Sequence, residues 1–257
     1  MKPLIGIMMR CEDNEEKTSI QYVLEFVRTT IIKAQAEPFF LTPPQNIDYY
    51  KTKYADYPAL TEEEEKQINF WLDSINGLFI PGGIKFTEYD RYVLKQAIKK
   101  EIPVLSVCLG MQLMSCHEQE VKLYDVAPSN SNHNVDLKQK YAHKVKLDKT
   151  SRLYEIVGEE EIMVNSFHKK RVGENSIYKV VARSEDGIIE ALEYPGEVFH
   201  ISLQWHPEKI YDEDIYAKKI IDAFILESSR RKTKLTTLRE AYFKENFVSC
   251  SIDRKEN

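Results

Sequence analysis

The sequence predicts an α/β fold in which a doubly wound, mostly parallel sheet carries helices on both faces and continues into an antiparallel β extension in the C-terminal half. In the N-terminal half, short apolar runs alternate with segments of helical periodicity, the pattern of a parallel sheet covered on both faces. Beyond Tyr141, strand-like segments follow one another directly. The length of 257 residues is enough for one α/β domain with a large core.

The N-terminal half supplies the alternating elements. Its first apolar run is typical of a buried strand, and Val23, Val27 and Ile31 then recur at helical spacing. Thr61 and Glu64 form a T-x-x-E capping box, which marks the start of a helix. The predicted strands are 3–9, 38–41, 77–80 and 102–107, and the predicted helices are 21–36, 61–72 and 89–100.

The C-terminal half supplies the antiparallel extension. The predicted strands are 142–147, 161–165, 178–184, 188–194 and 198–203, followed by a helix at 214–227. Asp186-Gly187 suits a hairpin turn because this dipeptide tolerates positive φ. We expect one domain over residues 1–227, and a charged C-terminal helix or flexible tail over residues 228–257.

Composition narrows the classes of function. The net charge is −5, with 36 basic and 41 acidic residues, so no broad basic field is present to bind nucleic acid or a membrane surface. No apolar run has the length of a membrane span and no signal-peptide pattern opens the chain, which predicts a cytoplasmic protein. No Cys or His pattern has zinc-ligand spacing, so we expect free thiols, no metal and no cofactor.

Cys108 is the first candidate for chemistry. The apolar strand predicted at 102–107 ends on it, and Gly110 follows where the chain turns into a helix. An isolated cysteine in an apolar strand is most often a small core residue. A strand-to-helix elbow instead lifts the side chain above the sheet and directs helix N–H groups at it, which stabilises a thiolate and later an oxyanion. The position favours a nucleophile.

His206 and Glu208 are candidates for a base and the carboxylate that orients it. In His206-Pro207-Glu208, the proline restricts the backbone, and alternation along an extended stretch is expected to leave both side chains on one side. Glu208 can then accept the Nδ1 proton while Nε2 faces the thiol. Asp186 and Glu190 are the alternatives for the carboxylate.

Five motifs, in this order along the chain, resemble the class I glutamine amidotransferase superfamily. They are Phe79-Ile80-Pro81-Gly82-Gly83, Ser106-Val107-Cys108-Leu109-Gly110-Met111-Gln112, Val164-Asn165-Ser166-Phe167-His168, Glu185-Asp186-Gly187-Ile188-Ile189-Glu190-Ala191 and Gln204-Trp205-His206-Pro207-Glu208. The third and fourth are similar to the γ-glutamyl-γ-aminobutyrate hydrolase branch, grouped with the C26 peptidases. The resemblance implies a flavodoxin-like sheet and cleavage of a γ-glutamyl amide through a thioester on Cys108.

The resemblance also implies roles around the nucleophile. The backbone N–H groups of Gly83 and Leu109 correspond to the donors of an oxyanion hole, with Gly82 as an alternate donor or substrate contact. Oxyanion donors of this kind are backbone or side-chain groups aimed at the charge that develops in the transition state.

Further positions correspond to substrate contacts in the resembling family. Gln112 and the segment Asn165-Ser166-Phe167 match positions that hold the glutamyl α-amino and α-carboxylate groups. His168, next to Lys169-Lys170-Arg171, is either a solvated rim residue or a contact to the leaving portion of the substrate. The sequence assigns no partner to a further set, interpreted as packing or surface residues: Cys11, Cys116, His117, His133 and His143.

Some positions depart from the resembling family. Ser106 stands where glycine is usual two residues before the nucleophile. Leu109 stands where the hydrolase branch usually has arginine, and leucine is the type found in amidotransferase subunits of biosynthetic synthases. The segments 84–87 and 115–119 replace loops of different length or composition. These differences line the pocket, so they affect the substrate rather than the nucleophile and base.

Three functions remain open from the sequence. The leading hypothesis is a stand-alone hydrolase that cleaves a small γ-glutamyl compound and releases glutamate and an amine. The second is a glutaminase subunit that takes glutamine and delivers ammonia to a separate synthase. The third is a catalytically silent binding protein with the same fold. The expected macromolecular partner is a second copy of the chain or a separate synthase subunit.

Overall fold

A computed structural model describes residues 2–53, 56–116, 123–127, 131–136, 138–174 and 177–247, with the side chains of 239–247 excepted. Residues 117–119 of the altered 115–119 segment, including His117, lie outside the described residues, as does Cys250. Within the described ranges, no helix combines the length and apolarity needed to cross a membrane.

The order of strands and helices follows the predicted alternation. The strands are β1 (Leu4–Met8), β2 (Arg10–Asp13), β3 (Ser19–Tyr22), β4 (Glu37–Leu41), β5 (Gly77–Ile80), β6 (Val104–Val107), β7 (Tyr124–Asp125), β8 (His143–Leu147), β9 (Glu161–Val164), β10 (Lys170–Arg171), β11 (Lys179–Ser184), β12 (Ile189–Glu193) and β13 (His200–Leu203). The helices are α1 (Glu25–Lys33), α2 (Glu62–Ser74), α3 (Glu88–Lys99), α4 (Leu109–Cys116), α5 (Arg152–Val157) and α6 (Ile215–Phe247), and Pro207–Lys209 forms a short 3₁₀ helix.

One nine-stranded sheet has the order β4-β1-β5-β6-β13-β12-β11-β8-β9. The pairs β1–β4, β1–β5, β5–β6 and β6–β13 are parallel. From β13 onward, β12, β11, β8 and β9 pair antiparallel. The predicted parallel sheet with a C-terminal antiparallel extension is confirmed.

Helices cover both faces of this sheet. On one face, Val27 of α1 and Phe224 of α6 belong to a buried apolar cluster with the sheet. On the other face, Leu72 of α2, Leu94 of α3 and Met111 of α4 belong to a second cluster. The capping box predicted at the start of α2 is present, with Thr61 and Glu64 each accepting the other's backbone N–H. The doubly wound arrangement is confirmed.

The helix predicted at 21–36 begins later, at Glu25, because the residues before it form a strand. β3 pairs with β2 as an antiparallel hairpin in which Tyr22 is opposite Arg10. The backbone N–H and C=O groups of β3 form hydrogen bonds with β2, so they are not available for the hydrogen bonds of a helix that begins earlier. Its turn contains Lys17 at φ +60°.

Helix α6 continues without a break past residue 227, where the sequence predicted a domain boundary. Ser228 is fully buried, at 0% exposure. Arg231 donates hydrogen bonds to the carbonyl oxygens of Ile75, Lys100 and Glu101 at 3.0, 3.3 and 3.3 Å. The helix is therefore anchored to the body of the protein beyond residue 227. Residues 248–257 of the predicted tail lie outside the described residues.

Candidate active site

The candidate nucleophile and base meet at the carboxyl edge of the sheet. β6 and β13 are parallel neighbours in which Val107 is opposite Leu203. Cys108 follows β6, and its backbone N–H donates to the Leu203 carbonyl oxygen at 2.7 Å. His206 follows β13. Because the carboxyl ends of parallel strands lie at one edge of a sheet, the topology itself brings these two residues together.

The backbone at Cys108 is strained. Its φ is +52°, a conformation that non-glycine residues adopt rarely and at a cost of about 1–3 kcal/mol. Helix α4 begins at the next residue, Leu109, so Cys108 lies at the turn from strand to helix. The residue is 9% exposed, so Cys108 is nearly but not completely buried. This is the elbow that the sequence predicts.

Gly110 lets α4 approach the sheet closely. A Cβ atom at this position would lie 2.4 Å from the Ile80 carbonyl oxygen and 3.0 Å from the Ser106 Cβ. Backbone cannot yield to such a contact, so only glycine fits here. The close approach seats the N-terminus of α4, where helix N–H groups have no partner within the helix, directly beside Cys108.

Glu208 contacts the imidazole of His206. Its Oε1 lies 2.8 Å from His206 Nδ1, and the two side chains are 2% and 12% exposed. The contact is made through the 3₁₀ helix Pro207–Lys209, so the expectation of an extended stretch is wrong. The tight turn brings the carboxylate back to the ring. Thr30 of α1 holds this turn by donating to the Glu208 carbonyl oxygen at 2.9 Å.

The protonated form of His206 is favoured in this environment. Burial alone would lower the pKa of His206, but the negative charge of Glu208 and a hydrogen bond with Cys108 outweigh it, and the pKa rises to about 10. An imidazolium beside a cysteine sulfur is the environment that favours a thiolate. The three side chains therefore form one electrostatically linked group.

Asn165 supports His206 from the end of β9, the edge strand of the antiparallel extension. It follows β9 and is fully buried. Its Nδ2 donates to the His206 carbonyl oxygen, and its Oδ1 accepts the His206 backbone N–H, each at 2.8 Å. Its amide side chain is thus occupied in positioning His206.

A buried arginine, which the sequence analysis missed, holds the glycine turn beside the site. A Cβ atom at Gly82 would lie 2.7 Å from His206 Cε1 and 3.3 Å from Cys108 Cβ, so the turn touches both residues. Arg10 donates through Nε and Nη2 to the Pro81 carbonyl oxygen at 3.1 and 2.8 Å. Its remaining Nη1 forms a 2.8 Å ion pair with Asp90, with both side chains buried.

Three other predicted site residues have local partners. Gln112 is buried on α4, and its Nε2 donates to the Lys170 carbonyl oxygen at 3.3 Å. Ser166 is buried, and its hydroxyl donates to the His133 carbonyl oxygen at 2.7 Å. The half-exposed ring of Phe167 lies 5.6 Å from the His206 ring, centroid to centroid. Phe167 therefore borders the imidazole.

His168 lies in a different environment from the one expected. It is 3% exposed, which excludes the solvated rim. Its Nδ1 contacts the Lys170 carbonyl oxygen at 2.9 Å and its Nε2 contacts His133 at 3.2 Å. Glu190 lies 3.6 Å from the same Nε2. Both ring nitrogens of His168 thus contact the protein, in a buried cluster that the sequence analysis did not anticipate.

The same cluster contains Asp186 and Glu190, the two alternatives to Glu208 for the carboxylate that orients His206. Asp186 contacts His133 Nε2 at 3.1 Å, and Glu190 contacts His133 Nδ1 at 3.1 Å. Burial would raise the pKa of Glu190, but the histidines facing it outweigh burial and hold the pKa below its usual range. Of the three carboxylates considered, Glu208 is the one that contacts His206.

Ser106 is accommodated without disturbing the nucleophile. Its hydroxyl donates to the Ser202 hydroxyl of β13 at 2.9 Å, and both residues are fully buried. The two serines are opposite each other in the β6–β13 register. A partner serine on the next strand thus satisfies the hydroxyl that replaces the usual glycine.

Solved structures with the same fold include the glutaminase domain of a Trypanosoma brucei CTP synthase with bound acivicin and a glutamine amidotransferase of Thermotoga maritima. The first has a TM-score of 0.61 at 15% identity, covering 89% of this chain and 94% of that one. The second has a TM-score of 0.52 at 14% identity, covering 95% and 98%. The fold is therefore that of the glutamine amidotransferase class.

The peptidase C26 family model matches residues 3–208, and the chain belongs to this family. A glutamine amidotransferase-like protein of Rickettsia prowazekii is 27% identical over 222 residues, which cover 62% of this chain and 79% of the relative. The γ-glutamyl-γ-aminobutyrate hydrolase PuuD of Escherichia coli is 23% identical over 252 residues, covering 87% and 92%. The CTP synthase of Thermotoga maritima is 27% identical over 210 residues, covering 68% of this chain but 39% of the synthase.

Proposed function

We propose that the protein is a cysteine-dependent hydrolase that cleaves the γ-glutamyl amide bond of a small γ-glutamyl compound and releases glutamate and an amine. The observation that carries the proposal is the group formed by Cys108 at a strained strand-to-helix turn and His206, whose Nδ1 contacts Glu208 at 2.8 Å. Membership of the peptidase C26 family and the relative PuuD, a γ-glutamyl-γ-aminobutyrate hydrolase, support the same reaction class.

In the first half-reaction, the sulfur of Cys108 attacks the γ-carbonyl carbon and the carbonyl oxygen becomes an oxyanion. Backbone N–H groups of Gly83 or Gly82 and of Leu109 stabilise this charge, each donor typically being worth ~3 kcal/mol. The intermediate then collapses, the C–N bond breaks, and the amine leaves with the proton held on His206 Nε2. A γ-glutamyl thioester remains on Cys108.

In the second half-reaction, water attacks the thioester carbonyl carbon and gives a proton to His206 Nε2. Collapse of this intermediate breaks the C–S bond, releases glutamate and restores the starting charge pair. Glu208 stabilises the imidazolium in both steps by accepting its Nδ1 proton.

The glutamyl end of the substrate is assigned to Gln112 and the segment Asn165-Ser166-Phe167. Because the Asn165 amide is occupied by His206, its segment would bind substrate through the backbone and the Phe167 ring. Leu109 and residues 84–87 differ from the hydrolase branch and are assigned to the amine end. We therefore expect the γ-glutamyl group to be required and the preferred amine to differ from γ-aminobutyrate.

A glutaminase subunit is the second candidate. The likeness to CTP synthase and the leucine at position 109 favour it. If the protein is a glutaminase subunit, the amine released is ammonia and a separate synthase consumes it. A silent binding protein has less support, because Cys108, His206 and Glu208 are in contact and Ser106 is satisfied by Ser202.

The test is glutamate release from a panel of amides: glutamine, γ-glutamyl-γ-aminobutyrate, γ-glutamyl amides of other amines, and matched β-aspartyl and α-glutamyl amides. The Cys108→Ala variant serves as the blank. Release from several γ-glutamyl amides, and none from the other two linkages, supports the hydrolase. Release from glutamine only when a synthase is added supports the subunit. No release, with no labelling of Cys108 by an electrophilic glutamine analogue, would contradict both.

A further inference from the structure

Four ligand-type side chains converge inside the antiparallel extension, outside the group formed by Cys108, His206 and Glu208. His133, His143, His168 and Glu190 are 3%, 5%, 3% and 0% exposed. His143 belongs to β8 and Glu190 to β12, while His133 and His168 lie in the connecting segments. The mechanism proposed above uses none of these side chains, so the cluster requires its own explanation.

The separations within the cluster match those between ligands of one metal ion. Glu190 Oε1 lies 3.1 Å from His133 Nδ1, 3.3 Å from His143 Nε2 and 3.6 Å from His168 Nε2. His133 Nδ1 lies 3.2 Å from His168 Nε2. A tetrahedral zinc ion with metal–nitrogen bonds of about 2.0–2.1 Å separates its ligand atoms by roughly 3.3 Å. One ligand atom from each of His133, His143 and Glu190 lies within 4.8 Å of the others.

The contacts of Glu190 with the three histidines do not have hydrogen-bond geometry, unlike the contact between His133 and His168. Within the described residues, Glu190 Oε1, Glu190 Oε2 and His143 Nε2 are buried and have no hydrogen-bond partner. A buried carboxylate without hydrogen bonds is costly unless something else compensates its charge. A cation among these atoms would provide that compensation.

The outer partners of the three rings leave the correct nitrogens free to coordinate. His143 Nδ1 and His168 Nδ1 face the carbonyl oxygens of Asn132 and Lys170, which only accept hydrogen bonds. In the neutral imidazole, each Nε2 then carries the lone pair. His133 Nε2 faces the carboxylate of Asp186, which leaves Nδ1 as its lone-pair nitrogen. Such carboxylate or carbonyl partners are typical of histidines that bind metals.

We propose that a divalent transition metal ion, zinc in the first instance, binds at this cluster through His133 Nδ1, His143 Nε2, His168 Nε2 and Glu190 Oε1. Nitrogen and carboxylate ligands in a four-coordinate arrangement suit zinc. A surface cavity lined in part by Ser131, Asn132, His133 and His168 provides a route of entry. Four protein ligands leave no open position, so the ion is structural.

The ion would act on the candidate active site by ordering residues 165–168. His168 would be fixed by the metal, and Ser166 is joined to the His133 backbone by its hydroxyl. Asn165, at the other end of this segment, holds the backbone of His206. The metal would therefore support the position of the base without contacting substrate.

The test begins with elemental analysis of full-length protein purified without an affinity tag and dialysed against zinc. We expect about one tightly bound zinc ion per chain, a higher unfolding temperature in the zinc-loaded form than in the chelator-treated form, and a visible cobalt spectrum of the tetrahedral type when Co²⁺ replaces zinc. Glu190→Gln and His143→Gln should each lose the bound metal and the cobalt spectrum.

His200→Gln is the matched control, because His200 is equally buried but contacts the Ile102 carbonyl oxygen outside the cluster. It should keep both the metal and the spectrum. Asp186→Ala should bind the metal about 10–100-fold more weakly, as expected for an outer partner of a ligating histidine. If the ligand variants fail to fold, the zinc content and cobalt spectrum of the wild type still decide the question. Wild-type protein that binds no zinc or cobalt, or equal metal content in wild type and folded ligand variants, would overturn the proposal.

Discussion

Asn165 holds both backbone polar groups of His206, donating to its carbonyl oxygen and accepting its N–H at 2.8 Å each. Asn165 follows β9, at the far edge of the antiparallel extension, whereas Cys108 follows β6 in the parallel part. His206 itself follows β13, the parallel neighbour of β6, so its backbone is held by both parts of the sheet. Its position beside Cys108 therefore depends on the packing of the antiparallel extension as well as on the β6–β13 pairing.

Asn165→Ala should lower kcat more than it changes KM. The variant removes two hydrogen bonds that fix the His206 backbone, each worth about 1 kcal/mol, so a loss of roughly 10–30-fold in kcat is expected. Steady-state kinetics on a cleaved γ-glutamyl amide measure this. Asn69→Ala is the control and should leave kcat unchanged, since it removes hydrogen bonds from Asn69 of α2 to the Glu65 carbonyl oxygen on the same helix and to the Tyr92 hydroxyl on α3. A raised KM with unchanged kcat would instead assign Asn165 to substrate binding.

Cys108→Ala should abolish glutamate release and leave the fold intact, because alanine fits the space of the thiol and only the nucleophile is removed. Cys11→Ala is a matched control, since Cys11 is also 9% exposed. Activity assays and far-UV circular dichroism check the two variants. An electrophilic glutamine analogue should modify Cys108 and leave Cys11 unmodified. Equal labelling of both cysteines would mean that Cys108 is not activated.

Glu208→Gln should cost less activity than His206→Ala, because it removes the orienting charge but leaves the base. In a serine protease, loss of the corresponding carboxylate costs about 10⁴-fold, and a smaller loss is expected here because a thiol ionises more easily than a hydroxyl. The comparison requires kcat/KM for both variants on the same amide. Full activity in Glu208→Gln would remove this residue from the mechanism.

The contribution of His206 to stability should decrease as the solution becomes alkaline. Its pKa is raised in the folded protein to about 10, above the value of ~6.5 expected for an unfolded histidine. The charged form therefore stabilises the fold fully below pH ~6.5, and this stabilisation is lost as the pH rises through the folded value. The difference in free energy of unfolding between wild type and His206→Asn should shrink from pH 7 to pH 10, measured by urea denaturation. A constant difference would show that the pKa is not raised.

Asp90→Asn should destabilise the protein strongly. It leaves the buried guanidinium of Arg10 without its counter-charge, a change that typically costs about 3–5 kcal/mol. Asp73→Asn breaks the more exposed ion pair with Lys100 and should cost less than about 1 kcal/mol. Denaturant unfolding of the two variants compares the pairs directly. Similar costs for both would mean that the Arg10–Asp90 pair is not effectively buried.

Most of the architecture follows from local sequence patterns. Apolar periodicity identified the alternating strands and helices, and the Gly-containing turn after Cys108 identified the elbow, because both depend on neighbouring residues. The late start of α1 was not predicted, since residues 21–22 pair with β2 through backbone hydrogen bonds that side-chain periodicity does not report. The segment from His206 to Glu208 was predicted to be extended but forms a 3₁₀ turn, because side-chain patterns do not report the backbone hydrogen bonds of such a turn.

The features that could not be predicted from the sequence depend on contacts between residues that are distant along the chain. Arg10 of β2 pairs with Asp90 of α3, which lies 80 residues further along the chain, and nothing near either residue indicates the other. His133, His143, His168 and Glu190 have no ligand spacing because the folding of the antiparallel extension, not local sequence, brings them together. Short spacings between Cys and His residues along the sequence therefore do not identify this cluster.

Arg231 donates to the carbonyl oxygens of Ile75 and Lys100, which are the C-cap residues of α2 and α3. One side chain of α6 thus contacts the C-terminal ends of α2 and α3. Shortening the chain to residue 227 would remove these contacts and should destabilise the packing of α2, α3 and α6. Deletions that stop beyond Arg231 should be tolerated much better. The contacts of α6 with the body of the protein thus continue beyond residue 227, at least as far as Arg231.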